Sequence, residues 1–80
     1  MDLHNLVVMA NRIGSFFEAQ PDRDEALAGI ADHVKKFWEP RMRAQILAAV
    51  ETGADTGLSE IVRAALEKHR ALLQDRKSVV

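Results

Sequence analysis

Eighty residues hold one small domain, and although 48% of them are apolar, twelve of those are Ala, which leaves few large side chains for a core. At about 1.5 kcal/mol of ordering entropy per residue, a chain this short folds near break-even unless a staple or partner helps; the absence of Cys excludes disulfides, iron–sulfur ligation and thiol nucleophiles. Eleven Lys and Arg against twelve Asp and Glu give a net charge of −1, without the basic excess from which nucleic-acid-binding proteins draw their affinity.

In the first segment Leu3, Leu6, Val7, Ala10, Ile13, Gly14 and Phe17 recur at three- and four-residue steps and so share one helical face. Met9 and Phe16 widen that stripe, predicting a helix buried around about half its girth. Pro21 ends it, because the residue before a proline is pushed out of the helical region. Asp22 is the expected cap of the next helix, its carboxylate accepting from the amides of Asp24 or Glu25, with Glu25 placed to reach back. The second stripe reads Leu27, Ile30, Ala31, Val34, Phe37, Trp38, and Glu25, Asp32, Lys35 and Lys36 form its solvated side.

Glu39-Pro40 marks a boundary, since Pro is well suited to the first position of a new helix. A shorter apolar face follows in Met42, Ile46, Leu47 and Val50, with Ala44, Ala48 and Ala49 allowing close approach of a neighbour. Thr52 to Gly57 is the clear loop, with Gly53 as helix terminator. Ser59 is the expected cap of the last helix and Leu58 its hydrophobic staple. The last stripe is Leu58, Ile61, Val62, Ala65, Leu66, His69, Leu72 and Leu73. No strand alternation is present. The predicted fold is all-α: a small antiparallel bundle of three long helices and one short helix, forming a single domain over residues 1–75 with a loose tail at 76–80.

The longest stretch free of Asp, Glu, Lys and Arg runs from Leu3 to Asn11, far short of the ~20 apolar residues that a membrane span needs. The amino end has no basic n-region or apolar h-region, so a cytoplasmic protein is expected. His4, His33 and His69 lie far apart, with no metal-ligand spacing among them. His69 reads as a packed histidine donating to a neighbouring backbone or side chain, or as one facing a partner, and His33, beside Asp32, as a surface residue. Asp22, Asp24 and Glu25 read as capping chemistry, and the Thr52–Gly57 loop lacks the Lys of a phosphate-binding loop. No catalytic pair, metal set or cofactor cradle emerges, so an enzyme acting by itself is not expected.

The segment from Lys35 to Arg43 is different. It carries two aromatics, one proline and four cations, with only Glu39 opposing. Arg43 falls on the same helical face as Ile46, Leu47 and Val50, where a guanidinium needs a carboxylate or carbonyl partner, within the bundle or on another protein. Trp and Arg dominate interface hot spots. The expected partner-binding residues are therefore Trp38, Pro40, Arg41 and Arg43, with Phe16 and Met9 alongside. A helix corner in which Trp38 stacks on Pro40 and Arg41 accounts for the same residues without a partner, and the two readings are compatible.

Leu6-Val-Val-Met-Ala-Asn-Arg-Ile-Gly-Ser-Phe-Phe17, Pro21-Asp-Arg-Asp-Glu-Ala26 and Gly29-Ile-Ala-Asp-His-Val34 come in that order, leading into Lys36-Phe-Trp-Glu-Pro-Arg-Met-Arg43 and Ile46-Leu47. This pattern resembles the delta subunit of soluble, NAD-dependent formate dehydrogenases that contain molybdenum or tungsten. The likeness spans residues 3–75, and its most specific part is Phe-Trp-Glu-Pro-Arg-Met-Arg. It implies a non-catalytic accessory subunit without a cofactor of its own, docking on the large catalytic subunit and supporting assembly, cofactor insertion or stability. In such complexes the partner subunits carry bis-molybdopterin guanine dinucleotide, iron–sulfur clusters and FMN, and NAD is the substrate.

Two other readings fit the residues alone. One is a self-associating module that buries the same apolar excess in a homodimer. The other is a small helix–turn–helix regulator built from the second and third helices, although Met42 to Val50 offer too few polar and basic tips for a recognition helix.

Overall fold

Caps and breakers set the helix ends. In the computed structural model, which describes residues 2–53 and 56–74, the chain forms α1 (Leu3–Phe17), α2 (Arg23–Phe37), α3 (Pro40–Glu51), α4 (Glu60–Lys68) and α5 (Arg70–Leu73). The Asp22 carboxylate accepts from the amides of Asp24 at 2.9 Å and Glu25 at 3.3 Å, satisfying two N–H groups that α2 leaves open. Pro40 opens α3, where its missing N–H costs nothing. Gly53 follows the end of α3 at φ +72°, a left-handed conformation that residues with a Cβ adopt at a cost.

All described residues outside loops are helical, in agreement with the all-α expectation, but the helices are divided differently. The predicted last helix breaks at His69, whose φ of −107° and ψ of 26° end α4 and begin α5. The break turns Leu73 into the core, where it is fully enclosed, and leaves Leu72 exposed. The predicted tail at 76–80 lies outside the described residues, as do Ala54 and Asp55 of the loop.

Leu6, Ile30, Ile46, Val62, Leu66 and Leu73 are the large side chains at the centre, one or more from every helix. At ~1.5–3 kcal/mol for each large apolar side chain buried, these contacts hold five short helices that would be marginal alone. Gly14 sits where α1 meets α4. A Cβ there would lie 2.5 Å from Val62 Cγ2 and 3.3 Å from Ile61 Cγ2, so the glycine sets how closely the two helices approach. Gly14→Ala is therefore expected to destabilise the protein. Overpacking costs ~1–3 kcal/mol and outweighs a helix-propensity gain of about 1 kcal/mol. A thermal melt checks this: a midpoint lowered by a few degrees is expected, and an unchanged or raised one would mean that Val62 simply moves aside.

Ser59 occupies the N-cap position of α4, but its hydroxyl makes no capping bond; Ser59 Oγ is buried without a hydrogen-bond partner among the described residues. The work falls to Asn11 on α1, whose Oδ1 accepts from the Ser59 amide at 2.9 Å and whose Nδ2 donates to the Gly57 carbonyl at 3.0 Å. One amide side chain thereby ties the entry to α4 onto α1 across more than forty residues of sequence. Leu58 beside it is buried, as expected of a staple.

Candidate interface site

The corner between α2 and α3 is built by a change of backbone direction. Trp38 leaves the helix in an extended conformation, φ −99° and ψ 140°, while its amide still donates to the Val34 carbonyl. That turn swings the indole back into the core, where it is 5% exposed. Phe37, one residue earlier and still helical, is left outside at 71% exposure, which corrects its placement in the buried stripe. Its ring lies over that of His33, one turn back on α2, with centroids 4.7 Å apart.

Arg43 is 6% exposed and is the one buried charged residue among those described. Its partners are three backbone carbonyls. Nε donates to Leu73 O at 3.0 Å, and Nη1 donates to Trp38 O at 2.6 Å and to Lys35 O at 3.3 Å. These oxygens sit at the ends of α2 and α5, where helical carbonyls lack amide partners and carry the negative end of the helix dipole. The guanidinium thus closes two helix ends at once. The carbonyl partner required of Arg43 is found inside the bundle.

The predicted partner-binding residues separate into two kinds. Trp38 and Arg43 point inward and frame the corner. Pro40 and Arg41 lie on its surface, beside a shallow groove lined by Glu39, Arg41, Met42 and Gln45. Phe16, on α1, is 73% exposed rather than part of the buried stripe, and Met9 packs half-buried against the core. Phe16 stands edge-on to Phe17, with centroids 5.1 Å apart, and together with Ile13 and His33 the two rings line a second groove between α1 and α2.

His69 Nε2 is buried without a hydrogen-bond partner among the described residues. Asn11 was legible only as a polar residue inside an apolar helix, and nothing nearby in sequence names Gly57 and Ser59 as its partners.

The sequence has no Cys, and among the described residues no group of three or more His, Asp or Glu side chains is placed to hold a metal ion. Without Cys the chain supplies no thiolate for an iron–sulfur cluster. Among the described residues no helix is long and apolar enough to cross a membrane. What the surface offers instead is exposed aromatic side chains on a well-packed helical body. No curated protein and no solved structure matches the chain. A family model does, over residues 5–66, a range that includes most of α1, all of α2 with its cap, the Trp38 corner, α3 and most of α4. Its description is NADH-dependent formate dehydrogenase delta subunit, and by that match, which covers most of its length, this chain belongs to the FdsD family.

Proposed function

We propose that the protein is a non-catalytic accessory subunit of a cytoplasmic, NAD-dependent formate dehydrogenase complex. It docks on the large molybdopterin subunit and supports that subunit's assembly, cofactor insertion or stability. The redox chemistry then belongs to the partners, which carry the bis-molybdopterin guanine dinucleotide, iron–sulfur clusters and FMN. The observation that carries the docking role, given the family, is the pair of phenylalanines standing almost free in water on an 80-residue domain. Hydrophobic side chains of that size are enriched at interfaces and cost solubility elsewhere.

The test is a pull-down with the tagged chain from its native cytosol, read by mass spectrometry, metal analysis and formate-dependent NAD reduction. Co-elution of a large subunit containing molybdenum or tungsten, with that activity, is the expected result. Recovery of the bare chain would remove the docking reading, and a homodimer burying the same rings would take its place.

A further inference from the structure

The outer surface of the bundle is not uniform. Among the described residues, ion pairs join α2 to α4 (Arg23 to Glu60 at 2.6 Å, Lys68 to Asp24 at 3.1 Å) and α5 to α3 (Arg70 to Glu51 at 3.0 Å). Those faces are hydrated and charged. None of the pairs involves α1, whose fifteen residues include one charged side chain, Arg12, and no carboxylate. Depletion of charge around exposed aromatics is the compositional mark of an interface core.

The geometry continues that face onto α2. Gly29, His33 and Phe37 follow one another at four-residue steps along a single line of the helix. The Phe17 ring lies directly on Gly29, where a Cβ would come within 2.5 Å of Cε1. Phe17 beside Gly29 and Ile13 beside His33 set an antiparallel register between the two helices. Phe16 and Phe37 thus stand at opposite ends of one strip, with the groove of Ile13, Phe17 and His33 toward the Phe16 end. Arg12 lies one turn before Phe16, exposed and without an ion-pair partner among the described residues.

We infer that this α1–α2 strip, rather than the Trp38–Arg43 corner, is the docking surface, and that its occupant is an apolar segment of another formate dehydrogenase subunit bearing a carboxylate opposite Arg12. The inference rests on the accessory-subunit reading and deepens it. The family decides the occupant: a delta subunit is one chain of an enzyme of several, so a chain of different sequence is what its bare face has to meet. Arg12 has no carboxylate on its own helix, and Asp32, next to His33 on α2, is already paired with Lys36 at 3.2 Å; a second copy would offer only its exposed Glu18 and Glu25 and is the rival that sedimentation separates. A partner of different sequence can place an aliphatic or aromatic side chain in the groove and an acidic one at its rim.

The experiment uses the complex purified from a strain lacking this chain, with association of the added chain measured by sedimentation or surface binding. Phe16→Ser and Phe37→Ser are each expected to weaken association at least tenfold, and the double variant at least a hundredfold. Arg12→Glu is expected to weaken it about tenfold, with less dependence on salt. All three positions are exposed, so helicity and thermal midpoint should stay at the parent's values, and Glu60→Gln on the opposite face should bind as the parent does. Double-variant binding within twofold of the parent, with the parent bound, would overturn the assigned surface and leave the accessory role standing. No binding by the parent chain would overturn both. A parent that sediments as a dimer, dispersed by the same Phe substitutions, would replace the partner segment with a second copy.

Discussion

Arg43→Ala is expected to cost about 3–5 kcal/mol of folding stability, because it leaves two buried carbonyl oxygens, Leu73 O and Trp38 O, and the partly buried Lys35 O without their donor. A chain of this length is stable by roughly 4–12 kcal/mol in total, so the substitution takes away a large share. Urea unfolding followed by circular dichroism measures it, and a midpoint equal to the parent's would refute the account. The conservative Arg43→Lys is the sharper control. An ammonium keeps the charge but not the planar fork that reaches two helix ends together, so it should recover less than half of the loss. The damage should also be local in a defined way. Amides of α5 should lose hydrogen-exchange protection first, since Arg43 Nε holds the Leu73 carbonyl at the end of that helix.

Trp38→Ala is expected to be comparably severe, about 3–5 kcal/mol, through the cavity left by a fully enclosed indole at the α2–α3 turn. Its importance is that it separates two roles that the composition of the corner confounds. If Trp38 were an interface anchor, the alanine variant would stay folded and lose its partner. Enclosed as it is, the variant should lose its thermal transition first, and any loss of association should follow the unfolded fraction. Association measured at low temperature, where the variant is still mostly folded, makes the distinction. Parent-like binding there is expected, and a large binding defect in a fully folded variant would return the corner to the interface.

Much of this architecture could be read from spacing alone. The stripe from Leu3 to Phe17 and the one from Leu27 to Val34 follow the helical period, and their inner members are enclosed as expected. Asp22, Pro40 and Gly53 punctuate the chain through local chemistry: a carboxylate within reach of two amides, a residue without an N–H, a residue without a Cβ. Arg43 announced its need for an acceptor because periodicity placed it among Ile46, Leu47 and Val50. Which acceptor it finds depends on Leu73, thirty residues away, and on the break at His69 that brings α5 back.

Adjacent positions were harder. Phe37 and Trp38 are equally apolar, and a helical stripe assigns both to the inside. The choice between them is made by the extended backbone at Trp38, which exists because Pro40 begins a new helix two residues on. Phe16 was likewise drawn inward by its spacing from Met9, whereas the groove it borders is formed with His33 of another helix. Asn11 carried no sign of its partners at all.

The sequence by itself determined what depends on neighbours within about four positions: helical content, caps, breaks, and the absence of thiols or a basic surplus. Its order of motifs also pointed to the delta-subunit family. Only the tertiary structure decided which aromatic faces in and which faces water, who satisfies the buried guanidinium, and which faces of the bundle are tied by ion pairs. Those outcomes turn on side chains brought together from distant segments. A periodicity of 3.6 residues orients each helix face but does not say what that face will meet.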